Sequence, residues 1–220
     1  MIVNHAIYKI GFWAGFIAFA STLAYVIVQV LQVIRVLNYP LDEILIYTTS
    51  LLIVVPFVLE MLAFHYLSPP AKKFWSHAAL IFSVVYAVFV TANYVVQLAT
   101  VIPMKLKGNI EQVRLLEQTP HSLFWNFDAI GYIFMGLATL MAIPVFEKSG
   151  FQKWVRLSFL ANALVTPLIA VVYFYPNYSE RLLFLGFPWG ITATLSMLLL
   201  AVMFKKDYDK KKHSQQYAIH

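Results

Sequence analysis

Residues 74–102, FWSHAALIFSVVYAVFVTANYVVQLATVI, run for 29 positions without an aspartate, glutamate, lysine or arginine. A helix needs about 20 mostly apolar residues to cross the hydrocarbon layer of a membrane, because every backbone amide must find its partner inside the helix. Two further stretches, 10–34 and 182–204, are equally free of charge. Residues 44–67 are interrupted only by Glu60 and 123–146 only by Asp128, while a shorter block at about 155–175 is uncharged from residue 157 onward. The expected fold is therefore all-α, a polytopic transmembrane bundle of six helices over residues 1–204. A basic tail follows at 205–220. The first block lacks the basic opening and short apolar core of a cleaved signal peptide, and its length suits a span that stays.

Composition requires lipid. The chain has 220 residues, of which 61% are hydrophobic and 12% charged, with a mean hydropathy of +0.73. A soluble domain is roughly half apolar and about a quarter charged, and a small domain has too much surface to hide the excess. Cysteine is absent, which removes disulfides, thiolate nucleophiles and cysteine metal sites. The net charge of +6 does not point to nucleic acid, because the basic residues sit between and after apolar blocks rather than along one helical face.

Those charges set an orientation. Lys9, Lys72, Lys73, Lys148, Lys153, Arg156, Lys205, Lys206, Lys210, Lys211 and Lys212 fall on one side, and Arg35, Lys105, Lys107, Arg114 and Arg181 on the other. Short cytoplasmic loops retain positive charge, so eleven against five predicts that both termini are cytoplasmic. The tail would anchor the topology and could also attract anionic headgroups, making membrane lipids the first expected partner.

The long connector, 103–122, should face outward. Asn109 is placed to cap a short helix with Gln112 as its capping-box partner, and Ile110, Val113 and Leu116 make one apolar stripe. Thr119-Pro120 breaks that helix, and Ser122 is positioned to cap the fourth span. Asn177-Tyr178-Ser179 matches a glycosylation acceptor, a pattern too short to carry weight alone. Gly11-x-x-x-Gly15 and Gly186-x-x-x-Gly190 mark close helix approaches, within the chain or against a helix of a partner.

Polar side chains inside a span usually face the bundle interior or a wet cavity. Glu60 is the foremost. At about 1.5 Å per residue it lies in the inner third of the membrane, one turn after Pro56, which removes a backbone donor. Counting from the cytoplasmic ends of the third, fifth and sixth spans puts Ser83, Tyr86, Asn162 and Ser196 in nearly the same layer. A second group gathers toward the outside. Asn93 and Gln97 share a face of the third span beside Thr91 and Tyr94, Gln29 and Gln32 stand at similar depth, and Asp128 begins the fourth span. With Tyr173, Tyr175 and Trp189 as walls, this predicts a pocket open to the outside for a small polar or cationic ligand. The plainer reading of each layer is helix-to-helix hydrogen bonding, including a protonated Glu60 bonded to a neighbour.

Catalytic and metal signatures do not accompany these residues. His5, His65, His77, His121, His213 and His220 show no metal-ligand spacing, and no phosphate loop or serine elbow occurs. No cofactor or metal is therefore expected. The stretch Asn93-Tyr94-Val95-Val96-Gln97, followed by Pro103, Pro120-His121 and Asp128-x-x-Gly131-Tyr132-x-x-Met135, resembles a pattern in bacterial multi-pass membrane proteins without assigned activity. That resemblance implies a six-helix bundle in a bacterial inner membrane and transfers no catalytic role.

The candidate cavity residues are Glu60, Tyr86, Asn93, Gln97, Asp128 and Asn162. The expected function is binding, with transport or sensing, of a small molecule between the helices. The alternatives are a membrane-embedded enzyme on a lipid or sterol-like substrate, with Glu60 or Asp128 as acid and base, and an accessory subunit docking through its glycine faces. The enzyme is less favoured because such chemistry generally needs a second ionisable group beside the first.

Overall fold

The computed structural model describes residues 2–217, with side chains described from 5 to 214; Met1 and residues 218–220, including His220, lie outside that range. Six long helices account for most of the chain: α1 (Ile2–Val33), α2 (Leu41–Leu67), α3 (Lys73–Val96), α4 (Leu123–Ala142), α5 (Gly150–Phe174) and α6 (Phe187–Tyr217). All six lie in segments long and apolar enough to cross a membrane. Each helix packs on its neighbours in sequence, and α6 returns to pack on α1, so the bundle is a closed ring.

Outward faces of the ring are apolar. Trp13, Val55, Val88, Leu164 and Ile191 are each more than half exposed. A soluble monomer rarely shows apolar patches above a few hundred Å². A belt drawn from helix after helix suits lipid, and the chain is a multi-pass membrane protein.

The helix ends differ from the expected bounds for local reasons. α3 continues through a π-helical turn, Gln97–Val101, and a short segment, Ile102–Leu106. Pro103 has no N–H to donate, and the wider turn lies just before it. α5 starts at Gly150, whose φ of +60° is a left-handed value that glycine adopts without strain. α6 starts at Phe187 after a 3-10 turn, Glu180–Leu185, so Pro188 occupies the first turn, where its missing donor is harmless. The helix then runs on to Tyr217, so most of the basic tail expected as a separate segment belongs to α6. No glycine or proline interrupts it after Trp189 except Gly190, and Asp207 stands one turn before Lys211. Lys9 lies 5.6 Å from the ring centre of Tyr208 and Lys211 lies 5.0 Å from that of Tyr8, binding the two ends of the ring together.

Ser122 caps α4, accepting from the Trp125 amide at 3.1 Å. The other cap does not form. Asn109 precedes the short helix Ile110–Val113, but with φ −90° and ψ 48° its backbone is not extended and its side chain makes no cap bond. The expected stripe is also incomplete. Val113 is 2% exposed, Ile110 is 51% exposed and Leu116 is half-buried, so only one residue of that stripe seats the connector on the bundle.

Candidate functional site

Asp128, Tyr132, Met135 and Thr139 are all buried and recur at helical spacing along α4. At about 1.5 Å per residue they span roughly 16 Å of depth. Each marks a layer of the ring interior, and the layers differ in chemistry.

The Asp128 layer lies at the end of the ring opposite the termini. Tyr94 donates to Oδ1 at 2.6 Å and the Tyr173 hydroxyl donates to Oδ2. Gln118, from the long connector, donates to Oδ2 at 3.0 Å, and Asn93 approaches Oδ1 at 3.5 Å while donating to Gln118 Oε1 at 2.9 Å. Gln97 donates to the Leu116 carbonyl at 2.7 Å and accepts from the Gln118 amide at 3.3 Å. The carboxylate thus collects donors from α3, α5 and the connector. The arrangement holds the connector over the end of the ring. Where an outward-opening pocket was expected, Gln118 bonds to the Asp128 carboxyl. A physical reason is available: a carboxyl group buried at 3% exposure needs hydrogen-bond partners, and the connector supplies one.

Aromatic side chains make the next layer. Tyr132 donates to Tyr25 at 3.1 Å, and Trp189 meets Tyr132 edge-on at 4.6 Å between ring centres and Tyr25 at 5.8 Å. This layer lies between Asp128 and Glu60, and Asp128 is not among the residues that border the Glu60 chamber.

Glu60 lies in the third layer. It is 0% exposed, and neither of its carboxyl oxygens has a hydrogen-bond partner. It borders a small chamber with Phe57, Met135, Thr139, Phe159, Asn162, Ala193, Ser196 and Met197, with about 10 Å³ of room, enough for one water. Gly15 of α1 makes the seat, since a methyl group built there would overlap Glu60 Oε1 and lie 2.9 Å from Ala201 Cβ. Likewise a methyl at Gly11 would lie 2.7 Å from Phe204. Both glycines are therefore used inside the chain, between α1, α2 and α6.

Nearest the termini is a cleft of about 90 Å³, bordered by Tyr8, Ser68, Glu147 and Asp207 and floored by Phe64, Phe146 and Phe204. Phe146 stacks on Phe64 at 5.1 Å and meets Phe159 edge-on at 5.1 Å. Since Phe159 borders the Glu60 chamber, these rings are the wall between cleft and chamber. Beside the cleft Lys72 pairs with Glu147 at 2.7 Å and donates to the Val145 carbonyl at 2.9 Å. The ammonium holds the exposed Glu147 carboxyl below its usual range.

The six candidates thus divide. Asn93, Gln97 and Asp128 meet in one network; Glu60 and Asn162 border one chamber. Tyr86 is buried edge-on against Phe57 at 5.5 Å. Of the layer predicted around Glu60, Ser196 joins the chamber, whereas Ser83 donates to its own helix at the Ala79 carbonyl, 2.8 Å away. Sequence reasoning missed Gln118, Thr139, Thr192 and the role of Gly15. Thr139 was within reach of the depth count, which left out the fourth span. Gln118 carries no local signal. Among the described residues no group of three histidine, aspartate or glutamate side chains is placed to hold a metal ion. Comparison with protein-family models, curated proteins and solved structures finds no match to the chain.

Proposed function

We propose that this chain is a small-molecule-binding membrane protein, a transporter or sensor, whose binding group is Glu60 in the interior of the helix ring. One observation carries the reading: a fully buried carboxyl whose two oxygens have no partner, bordering a small chamber. A buried polar group left unsatisfied costs about 1–3 kcal/mol, and a charged one more. Such a group is retained where an occupant or a proton completes it. The cleft and the phenylalanine wall support the reading further, since they place a solvent-sized recess one aromatic layer from the acid. The small chamber then corresponds to a closed form, with opening required for anything larger than water. The excess of basic residues on the side of the termini favours a cytoplasmic cleft, in the bacterial inner membrane that the sequence resemblance implies.

Glu60→Gln tests this. In proteoliposomes carrying a pH-sensitive dye, a panel of amines, amino acids and organic acids is added outside. Wild-type vesicles should show a solute-dependent signal that the variant loses while keeping its unfolding midpoint. An equal signal from both proteins sinks the proposal.

A further inference from the structure

The connector 109–120 is bracketed by two residues with left-handed backbone, Gly108 at φ +83° and His121 at φ +66°. A Cβ built at Gly108 would meet nothing within 4 Å, whereas His121 holds a conformation uncommon outside glycine. Element ends of this kind are where hinges are placed. Between them most side chains are exposed, and apart from Val113 and the Lys105–Glu117 ion pair at 3.4 Å the ties to the bundle gather on residues 116–118.

Those ties read a short peptide in two ways. The Gln97 carboxamide serves its main chain, donating to the Leu116 carbonyl at 2.7 Å and accepting from the Gln118 amide at 3.3 Å, much as a neighbouring strand serves a bound peptide. Asn93 and Asp128 serve its side chain: Asn93 donates to Gln118 Oε1 at 2.9 Å, and Gln118 Nε2 donates to Asp128 Oδ2 at 3.0 Å. All three readers are buried in the bundle, while the glutamine they read is half-buried on an otherwise exposed segment. The bundle interior thus presents groups matched to a carboxamide side chain and the amide beside it. One group is left over. Asn93 is 0% exposed, yet its Oδ1 has no partner. Fastening the connector needs only the bonds already made, and a buried acceptor without a partner is costly. An occupant that brings a further N–H would complete it.

We propose that Asn93, Gln97 and Asp128 form a binding site for a glutamine-bearing peptide at the end of the ring opposite the termini. Residues 116–118 occupy it as an internal ligand and leave it when the connector swings on Gly108 and His121. The site is separate from the Glu60 chamber and does not rest on the reading of that acid.

Gln118→Ala tests this, since it removes the internal carboxamide and keeps the three readers. The full chain in nanodiscs is titrated calorimetrically with the connector's own tripeptide, Leu-Glu-Gln with acetylated and amidated ends, and with the Leu-Glu-Glu counterpart of the same shape. The glutamine peptide should bind both proteins, and Gln118→Ala more tightly by about tenfold or more, because a site filled from within is open to a ligand only part of the time. In wild-type protein the saturating peptide should speed amide hydrogen exchange across 107–122 while the spans stay protected. The glutamate peptide should do neither. Asn93→Ala in the Gln118→Ala background should abolish binding. The comparison of wild type with Gln118→Ala decides even where that double variant folds poorly. Failure of millimolar glutamine peptide to bind Gln118→Ala means that the connector is only fastened there, and overturns the proposal. Equal binding of the two peptides overturns recognition of the carboxamide. Binding that leaves exchange in the connector unchanged overturns its role as internal ligand.

Discussion

Asp128 accepts from side chains of three separate segments, and its removal tests how much that convergence contributes. Asp128→Ala leaves the hydroxyls of Tyr94 and Tyr173 and the amide of Gln118 without their acceptor. The expected loss is about 1–3 kcal/mol, the range for buried neutral donors left without an acceptor. Asp128→Asn keeps an acceptor oxygen and should lose less. Equilibrium unfolding in mild detergent measures both, and a loss below about 1 kcal/mol for the alanine variant would mean that water replaces the carboxylate. Gly136 is the second residue-scale test. A methyl there would overlap the Thr166 hydroxyl, so α4 and α5 can approach this closely only because the side chain is missing. Gly136→Ala should destabilise by about 1–3 kcal/mol, and adding Thr166→Ala should recover part of it, a coupling that a double-mutant cycle reads directly.

At the scale of elements, the connector between α3 and α4 is held by few contacts. Val113 is buried, and Gln97 and Asp128 engage Leu116 and Gln118. Gln97→Leu should therefore speed amide hydrogen exchange across residues 107–122 while exchange in the spans stays unchanged; equal protection in variant and wild type would place the anchor elsewhere. The turn between α4 and α5 behaves differently, because its anchor is an ion pair. Lys72 lowers the pKa of Glu147, so the pair contributes above the ordinary glutamate range and is lost as pH falls through the lowered value. The site is exposed and the effect on global stability small. Its trace should be an acid-induced rise in exchange at residues 146–149 that Glu147→Gln abolishes, tracked by mass spectrometry down to acid pH.

For the molecule as a whole, the absence of cysteine permits a clean test of topology. Ser149→Cys and Ser214→Cys lie at exposed positions toward the termini, and Gln112→Cys and Ser179→Cys at exposed positions in connectors of the other end. In intact cells a membrane-impermeant maleimide should label the second pair and spare the first until the cells are opened. Inverted labelling would reverse the orientation, and labelling of one member of a pair alone would break the six-span count.

The number of helices and their approximate positions were legible in the sequence because the membrane leaves little choice. An apolar run such as 74–102 must satisfy its own backbone, which makes it a helix whatever surrounds it. Ser122 was legible for the same reason, being a local contact three residues from its donor. Asn93, Gln97 and Asp128 could be grouped because depth along a helix is a matter of counting. What depth does not supply is rotation. In this chain the lipid-facing and core-facing sides of each helix are both apolar, so the pattern carries little phase information about which side turns inward. Only closure of the ring decided that Glu60 rests on Gly15, that Asn162 meets Thr139 and Thr192, and that an aromatic layer divides Glu60 from Asp128. Gln118 reaches Asp128 from a connector whose course depends on the packed end of the ring. Sequence alone determined how many times the chain crosses and where its polar residues stand in depth; tertiary packing decided which of them meet, because that depends on helix rotation and long-range approach that no local pattern specifies.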